Sequence, residues 1–467
     1  MSDMLIKNTR VFYNNRIQPG EVLIEDGKIK RIAKDIQGVD AGMTIDVGGA
    51  LTLPAGIDVH VHFREPGLTN KEDWYTGSCA AAAGGITTVI EHPNTIPPTV
   101  DKKSFKKKLR LAKRKSIIDF GINGGVTHNV EKLPMLWELG VTAFGEIFMA
   151  ESTGELNIND DDLSNAFGAI KELGALACIH AEDEQIRLEN EALLKNDMSA
   201  KSHSRIRSNL CEGIAVERAV ELIKESGIRA HFCHISTLEA MGILRKEKYM
   251  AAQRGDEGNE CSDGGVVPSG PRISFEAAPH HLFLSTRDWE RLGSFGKMNP
   301  PLRDRRNVKA LINGVNDGTV DVVASDHAPH REFEKDIDIR SAPAGVPGVE
   351  TLIPLMLTAV KRNILPLGRM IEVTSKNPAR IFDLDRHSKG SFAQGYDADL
   401  IIVDPHDVRT IKADDLHSKA GWTPYEGMDG IFPRLTLLRG EIVWDADITA
   451  SRGHGKFLEG CGHKMSE

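Results

Sequence analysis

The sequence lacks the features that would place the protein in a membrane or on a polyanion. It contains no run of about 18 uncharged apolar residues, which a membrane-spanning helix would need, and residues 1–8 lack the basic-then-apolar pattern of a signal peptide. Acidic residues outnumber basic ones by 67 to 58, for a net charge of -9, whereas nucleic acids and anionic membranes are bound through clustered positive charge. We therefore expect a cytoplasmic protein with no nucleic-acid or membrane partner.

Cysteine is scarce as well. The 467 residues include six cysteines, and none of them forms a C-x-x-C pair. Cys178 and Cys233 lie inside apolar runs, where a free cysteine behaves as a small hydrophobic residue. This usage disfavours a disulfide framework and favours a reducing compartment.

Strand-like apolar runs alternate with helical stretches through the middle of the chain. The runs span residues 57–63, 86–92, 120–126, 143–149, 176–180, 230–235, 273–278 and 320–325. Eight strand–helix units over about 330 residues are typical of an α/β fold, the TIM-like (β/α)8 barrel, whose chemistry sits where each strand runs out into its following loop. We assign residues 56–384 to this barrel as the catalytic domain.

Short alternating strands precede and follow the barrel in the sequence. They occur within residues 4–53 and return after about residue 385. We predict that residues 1–55 and 385–467 together form one small β-sandwich domain built from both chain termini. A polar insertion at residues 251–270 is predicted to be a surface loop on the barrel face away from the site.

The predicted strand ends carry metal-ligand residue types. His60 and His62 are two residues apart on the first strand, so both side chains project the same way, into the barrel mouth. An H-x-H pair alone is weak evidence, but the fifth, sixth and eighth strands end at His180, His234 and Asp326. All would reach the same rim, which predicts a metal centre. Imidazole and carboxylate ligands suit Zn²⁺, with Co, Mn or Fe as alternatives.

These motifs resemble those of the dihydroorotases, cyclic amidases of the amidohydrolase superfamily. The matching segments are residues 58–67, 92–95, 297–303 and 324–330, and residues 389–400 resemble the returning strand of the family's small β domain. The likeness extends over nearly the whole chain apart from the 251–270 insertion. It implies a hydrolase that interconverts N-carbamoyl-L-aspartate and (S)-dihydroorotate plus water in de novo pyrimidine biosynthesis.

The resemblance also implies roles for the rim residues. His60, His62 and Asp326 would hold one Zn²⁺ ion, and His180 and His234 a second. Asp326 would be the catalytic residue, taking a proton during attack on the ring amide and handing it to the departing nitrogen.

Four residues are predicted to bind substrate. The carboxylate of dihydroorotate calls for a planar, always charged donor, and Arg64 lies two residues beyond His62 on the same strand face. Asn94 and His330 match substrate-contacting positions in the family. Asn299 is also predicted to bind substrate, although an Asn before Pro300-Pro301 often only shapes a turn. The run from Pro343 to Gly348 follows the eighth strand and can bring bare backbone close to a ligand.

The sequence departs from the family on the fourth strand. Many members carry Phe-Lys-x-Phe there, with a carboxylated Lys that bridges the two metals, whereas this chain has Phe144-Gly145-Glu146-Ile147-Phe148. We predict that Glu146 bridges the metals in place of that Lys. The family's usual Met before Pro-Asn is also replaced, by His92.

Two alternative functions remain open at this point. Allantoinases and hydantoinases look similar across the barrel, but their substrates lack the carboxylate that Arg64 would bind. A non-catalytic scaffold is the other alternative, although such relatives usually lose rim ligands that this chain retains. The sequence also leaves open a homo-oligomer and an association with aspartate carbamoyltransferase, as in some relatives.

Overall fold

The computed structural model describes residues 2–13, 16–152, 156–254 and 272–463. Five strands begin the chain: β1 (Ser2–Tyr13), β2 (Arg16–Glu25), β3 (Lys28–Ala33), β4 (Ala41–Asp46) and β5 (Leu51–Pro54). The antiparallel β2–β3 hairpin turns through Asp26 and Gly27, whose φ angles of 51° and 72° suit the tight turns that match strand twist. β1 is antiparallel to β2 and runs parallel to β4 and β5.

The eight apolar runs form the eight strands of a barrel. They are β6 (Gly56–Val61), β7 (Ile86–Glu91), β8 (Asp119–Ile122), β9 (Phe144–Phe148), β10 (Leu176–His180), β11 (Arg229–Phe232), β12 (Ile273–Ala277) and β13 (Val322–Val323). Neighbouring strands pair in parallel in two arcs, β6 to β8 and β9 to β13. Bridges from Gly124 to Phe144 and from Val61 to His327 join the arcs, so the ring closes. The predicted (β/α)8 barrel is confirmed.

Helices alternate with these strands. They are α1 (Trp74–Ala83), α2 (Lys102–Lys115), α3 (Leu133–Glu138), α4 (Asp160–Glu172), α5 (Glu184–Leu193), α6 (Ala200–Ile206), α7 (Asn209–Ser226), α8 (Leu238–Arg254), α9 (Pro279–Phe283), α10 (Trp289–Leu292), α11 (Arg305–Asp317), α12 (Glu332–Lys335), α13 (Leu352–Lys361), α14 (Leu367–Ile371) and α15 (Asn377–Ile381). Asp73, Asp101, Asn159, Asp183 and Asp304 cap α1, α2, α4, α5 and α11, because their side chains accept backbone N–H groups of the first turn.

Within the described ranges, no helix is both long and apolar enough to cross a bilayer. Of the predicted 251–270 insertion, residues 251–254 form the end of α8, and the remainder lies outside the described residues. The cysteines within the described ranges are free.

The C-terminal strands return to the N-terminal sheet. They are β14 (Leu400–Val403), β15 (Arg409–Thr410), β16 (Asp429–Gly430), β17 (Leu435–Leu438) and β18 (Glu441–Asp445). β14 lies antiparallel between β5 and β17, and β17 pairs with β18, so one sheet contains strands from both termini. Ile6 and Ile24 share a buried cluster with Leu400 and Leu437. The predicted fold class is confirmed, and the domain boundaries at residues 55 and 385 stay a prediction.

Candidate metal centre and substrate pocket

The carboxyl ends of the barrel strands bring the six predicted metal ligands into one buried cluster. On one side, Nε2 of His60 and Nε2 of His62 lie 3.6 and 3.2 Å from Oδ1 of Asp326. On the other side, Nδ1 of His180 lies 3.2 Å from Nε2 of His234. All these side chains are buried. His60 near the end of β6 and His62 just beyond it therefore project to the same side, as expected from the sequence.

Glu146 lies between the two sides. Its Oε1 is 3.0 Å from Nδ1 of His180 and 2.8 Å from Nε2 of His234, while its Oε2 is 3.5 Å from Nε2 of His60. The strand that carries Glu146 runs close to β10. A Cβ atom at Gly145 would lie 2.3 Å from the carbonyl oxygen of Cys178, so only glycine allows this approach.

The side chains of this cluster fit divalent metal ions. His60, His62 and Asp326 offer ligand atoms within 4.8 Å of one another, and so do Glu146, His180 and His234. Nε2 of His60 is buried and has no hydrogen-bond partner among the described residues, which is costly for a polar atom unless something binds it. The imidazole and carboxylate donors are those that Zn²⁺ and related cations prefer.

The charge state of the carboxylates also suits a cation. Burial opposes ionisation of Asp326, but the hydrogen bond with His62 and the neighbouring imidazoles outweigh it and lower the pKa of Asp326 to about 2. For Glu146 too, burial raises the pKa, yet His60, His180 and His234 together hold it well below its ordinary value. Both buried carboxylates are therefore ionised, with the neighbouring imidazoles as their partners, a role that a bound divalent cation would take over.

Each of three histidines has a hydrogen-bonding partner that orients its ring. Nδ1 of His60 lies 2.6 Å from Oε1 of Glu276, and Nε2 of His180 lies 2.9 Å from Oε2 of Glu182. Nδ1 of His62 lies 2.6 Å from Oδ1 of Asn94, a residue expected to contact substrate. Such partners fix which ring nitrogen faces the metal.

The sequence analysis missed Glu276 and Glu182. Glu276 carried a recognisable signal, since it is a charged residue within the otherwise apolar end of β12 and shares a face with Ser274. Glu182 lies two residues beyond His180, but its other partner, the guanidinium of Arg207, comes from a distant segment that the local sequence does not indicate.

His92 packs against the metal centre. Its ring stacks on that of His60, with centroids 4.0 Å apart and an angle of 19° between the rings. Burial and the nearby His60 hold the pKa of His92 well below its ordinary value, so the ring is neutral. His92, which replaces the family's usual Met, therefore places an uncharged ring against His60, a predicted metal ligand.

The predicted substrate residues lie beside this cluster. Arg64, Asn94 and Asn299 line a narrow cleft of about 20 Å³, together with His62, Glu146, Phe148, Ser152, His180, His234, Asp326, Ala328, Ala344 and Gly345. A larger cavity of about 330 Å³ adjoins this cleft and shares Ser152, Asn299 and Ala344 with it. The amide nitrogen of Asn299 donates to the hydroxyl of Ser152 over 3.1 Å, so this pair stands between the two spaces.

Arg64 and His330 are close neighbours. Nη2 of Arg64 lies 3.3 Å from Nε2 of His330, and Nε of Arg64 donates to the carbonyl of Pro329. Nε2 of His330 also lies 3.0 Å from the carbonyl of Ala344, and Lys71 donates to Nδ1 over 2.9 Å. The tautomer protonated at Nε2 satisfies both of these bonds. His330 therefore contacts both Arg64 and the backbone carbonyl of Ala344, two residues that line the cleft.

Comparisons with known proteins identify the family of the chain. Residues 51–424 match the sequence profile of the Amidohydrolase family. A dihydroorotase from Methanosarcina acetivorans is 63% identical, covering 100% of this chain and 97% of that protein, and one from Halobacterium salinarum is 43% identical, covering 92% and 97%. The solved structure of an L-hydantoinase from Arthrobacter aurescens gives a TM-score of 0.90 at 30% identity, covering 98% of this chain and 100% of that one.

The chain therefore belongs to the amidohydrolase family. Within it, the chain belongs with the dihydroorotases, since the full-length relatives at 63% identity carry that name and the hydantoinase is more distant at 30%.

Proposed function

We propose that the protein is a metal-dependent dihydroorotase that converts N-carbamoyl-L-aspartate reversibly into (S)-dihydroorotate and water. Alongside the family relationship, the observation that carries this function is Arg64, a buried guanidinium lining the same cleft as Asp326. Burying a cation is costly unless it is hydrogen-bonded or paired, and the substrate would bring a carboxylate to pair with Arg64 in this cleft.

His60, His62 and Asp326 would hold one Zn²⁺ ion, His180 and His234 the other, and Glu146 both. When bound, these ions polarise the substrate carbonyl and make a water nucleophilic at neutral pH. Three properties of the pocket support this assignment: the paired ligand groups, the ionised carboxylates and the unpartnered Nε2 of His60.

The protein's own residues would bind the substrate and transfer the proton. The guanidinium of Arg64 takes the substrate carboxylate in a two-pronged contact, and Asn94 and Asn299 line the same cleft on either side. The carboxylate of Asp326 accepts a proton as water adds to the ring carbonyl, and delivers it to the ring nitrogen as the C–N bond breaks. In the direction of ring closure each proton transfer runs in reverse, so the same carboxylate serves both directions.

The decisive experiment combines metal analysis with a substrate comparison. Purified protein should contain a divalent metal, turn over dihydroorotate and N-carbamoyl-L-aspartate, lose that activity on chelation, and regain it with Zn²⁺, Co²⁺ or Mn²⁺. Hydantoin and allantoin, which lack the carboxylate, serve as the comparison substrates. Preferred turnover of either would replace this function by that of another cyclic amidohydrolase, and absence of all turnover in metal-loaded protein would favour the scaffold alternative.

Two aspects of the proposal concern partners and location. We retain the expectation of a cytoplasmic enzyme acting on a small-molecule substrate. Light scattering of the purified protein, alone and mixed with the aspartate carbamoyltransferase of the same organism, distinguishes a free chain, a homo-oligomer and a complex of the two enzymes.

A further inference from the structure

Lys335, the last residue of α12, is a lysine with a side chain fully removed from solvent. Among the described residues no carboxylate lies within ion-pair distance of its ammonium group. Its Nζ instead donates to three backbone carbonyls, those of Lys297 and Pro343 at 2.9 Å each and that of Gly345 at 3.1 Å. Three acceptors use the three N–H donors of an ammonium, whereas a neutral amine has only two.

The three carbonyls belong to the two segments that form one wall of the substrate cleft. Ala344 and Gly345 line the cleft, and Lys297 lies two residues before Asn299, which also lines it. The N–H of Gly345 donates to the carbonyl of Lys297 over 2.9 Å, so that one carbonyl accepts from both Gly345 and Lys335. Lys335 therefore ties the two segments to each other.

The backbone conformation and surroundings of Gly345 exclude a side chain at this position. Its φ angle is 134°, and a Cβ atom there would lie 2.4 Å from the carbonyl oxygen of Ala328. Backbone in this region is strained for other residues and is held in place by its surroundings. The bond from Lys335 to the Gly345 carbonyl and the bond from His330 to the Ala344 carbonyl act on adjacent peptide units.

A second contact connects Lys335, through Trp422, to the backbone of His330. Its ammonium lies 5.6 Å from the centre of the Trp422 ring, within the range of a cation–π contact, and the Trp422 indole N–H donates to the His330 carbonyl over 2.8 Å. Burial, followed by the charges of Lys297, Arg64 and Lys71, lowers the pKa of Lys335. The three carbonyls and the ring oppose that shift, because they stabilise the charged form.

We propose that Lys335 is a positioning residue, which holds the main chain of Ala344 and Gly345 at the distance from Asn299 that dihydroorotate requires. It touches no reacting atom and acts through the wall that it fixes. The proposal rests on the proposed dihydroorotase function for the identity of the substrate.

The test replaces Lys335 by Met, whose unbranched side chain is one atom shorter than that of Lys and donates no hydrogen bond. In Lys335→Met, KM for dihydroorotate should rise by about tenfold or more while kcat changes less, because the loss falls on substrate binding rather than on proton transfer. Hydrogen exchange in residues 343–347, where Ala344, Gly345 and Val346 carry N–H groups, should become faster, since the Lys297 carbonyl that accepts from the Gly345 N–H is no longer held by Lys335. Metal content should not change.

Lys389→Met is the matched control for burial of a lysine. Lys389 is 2% exposed and binds Asp119, Asp397 and Asp399 near the start of β8, at the other end of the barrel. The Lys389→Met variant should lower Tm at least as much as Lys335→Met does. It should leave KM for dihydroorotate and hydrogen exchange in residues 343–347 unchanged. Lys248→Met, in which a partly buried lysine loses its bonds to Thr319 and Asp321, replaces this control if Lys389→Met does not fold.

Rescue separates hydrogen bonding from simple destabilisation. Lys335→Ala, purified in propylammonium chloride, should show a KM near that of the parent, and removal of the salt should raise it. Tetramethylammonium, which carries charge but no N–H donor, should not restore KM.

Unchanged KM and exchange in Lys335→Met would overturn the proposal, as would an equal KM change in the control or equal rescue by tetramethylammonium. If the parent protein fails to turn over dihydroorotate, the proposed function fails instead. Exchange in residues 343–347 still reports on the role of Lys335 in that case.

Discussion

Oε1 of Glu276 lies 2.6 Å from Nδ1 of His60 and directs the opposite nitrogen of that ring, Nε2, towards Glu146 and Asp326. The same oxygen accepts the backbone N–H of His234 over 3.2 Å. One buried carboxylate thus orients residues on both sides of the metal centre. Glu276 is on β12, which lies between the strands that lead to His234 and Asp326, so a strand without a predicted ligand helps to set the geometry of the centre.

Removing this carboxylate should weaken metal binding without removing a ligand. Glu276→Ala should lower metal affinity or turnover by about 10- to 100-fold, as is usual when a partner of a metal-bound histidine is lost. Glu276→Gln should lose less, because its amide oxygen can still accept from His60. Titration of each metal-free variant with Zn²⁺, monitored by enzymatic activity, measures its metal affinity and its turnover. Ser274→Ala, which touches Glu276 only indirectly through His231, should lose less than Glu276→Ala, and equal affinities for all three variants would exclude this role for Glu276.

Arg64→Lys should weaken the binding of substrates that carry the carboxylate. A single ammonium cannot reproduce the two parallel N–H bonds of the guanidinium, so KM for dihydroorotate should rise by about tenfold or more with a smaller effect on kcat. The uncharged ring dihydrouracil provides the comparison, since its turnover should not depend on Arg64. The ratio of kcat/KM for dihydroorotate to kcat/KM for dihydrouracil should therefore fall in the variant. An unchanged KM for dihydroorotate would show that another group anchors the carboxylate.

Asp326→Asn should abolish turnover and preserve the fold. The amide cannot accept the proton that the attacking water must lose, and it is a weaker metal ligand than a carboxylate. Steady-state assays in both reaction directions measure the loss, and circular dichroism with a thermal melt checks the fold. Activity within about tenfold of the parent would remove Asp326 from the proton-transfer step.

The sequence was sufficient to predict which histidines and carboxylates lie at the carboxyl ends of the barrel strands. In a parallel barrel every strand ends at the same rim, so the positions of His180, His234 and Asp326 along the chain fix where they meet. The period of two residues in a strand likewise places His60 and His62 on one face.

The supporting contacts were less accessible from the sequence, because they depend on pairs of segments that are distant along the chain. His60 and Glu276 are 216 residues apart, and nothing near either residue indicates the other. Lys335 carried an equally weak signal, since a lysine after two glutamates in a polar loop usually faces solvent. Its burial follows from three carbonyl acceptors that only the folded loop brings together.

The remaining prediction concerns Glu146, which we expect to bridge the two metals. Two cations a few ångströms apart repel each other, and a shared anionic ligand offsets that repulsion while fixing their spacing. One oxygen of Glu146 faces His180 and His234, and the other lies 3.5 Å from His60 and 3.9 Å from His62. Metal loading should therefore be independent of bicarbonate, which a carboxylated lysine would require.

Glu146→Ala should lose at least one metal per chain and most of its activity. Glu146→Gln is the matched control, because the amide keeps the size of the side chain but offers one uncharged oxygen. It should retain more metal than Glu146→Ala and still bind less than the parent, since the repulsion between the ions is no longer offset. Metal analysis after dialysis, with and without bicarbonate, measures these differences. A Glu146→Ala protein that keeps both metals and full turnover would falsify the bridge, and bicarbonate-dependent loading of the parent would point to a lysine carbamate elsewhere in the site.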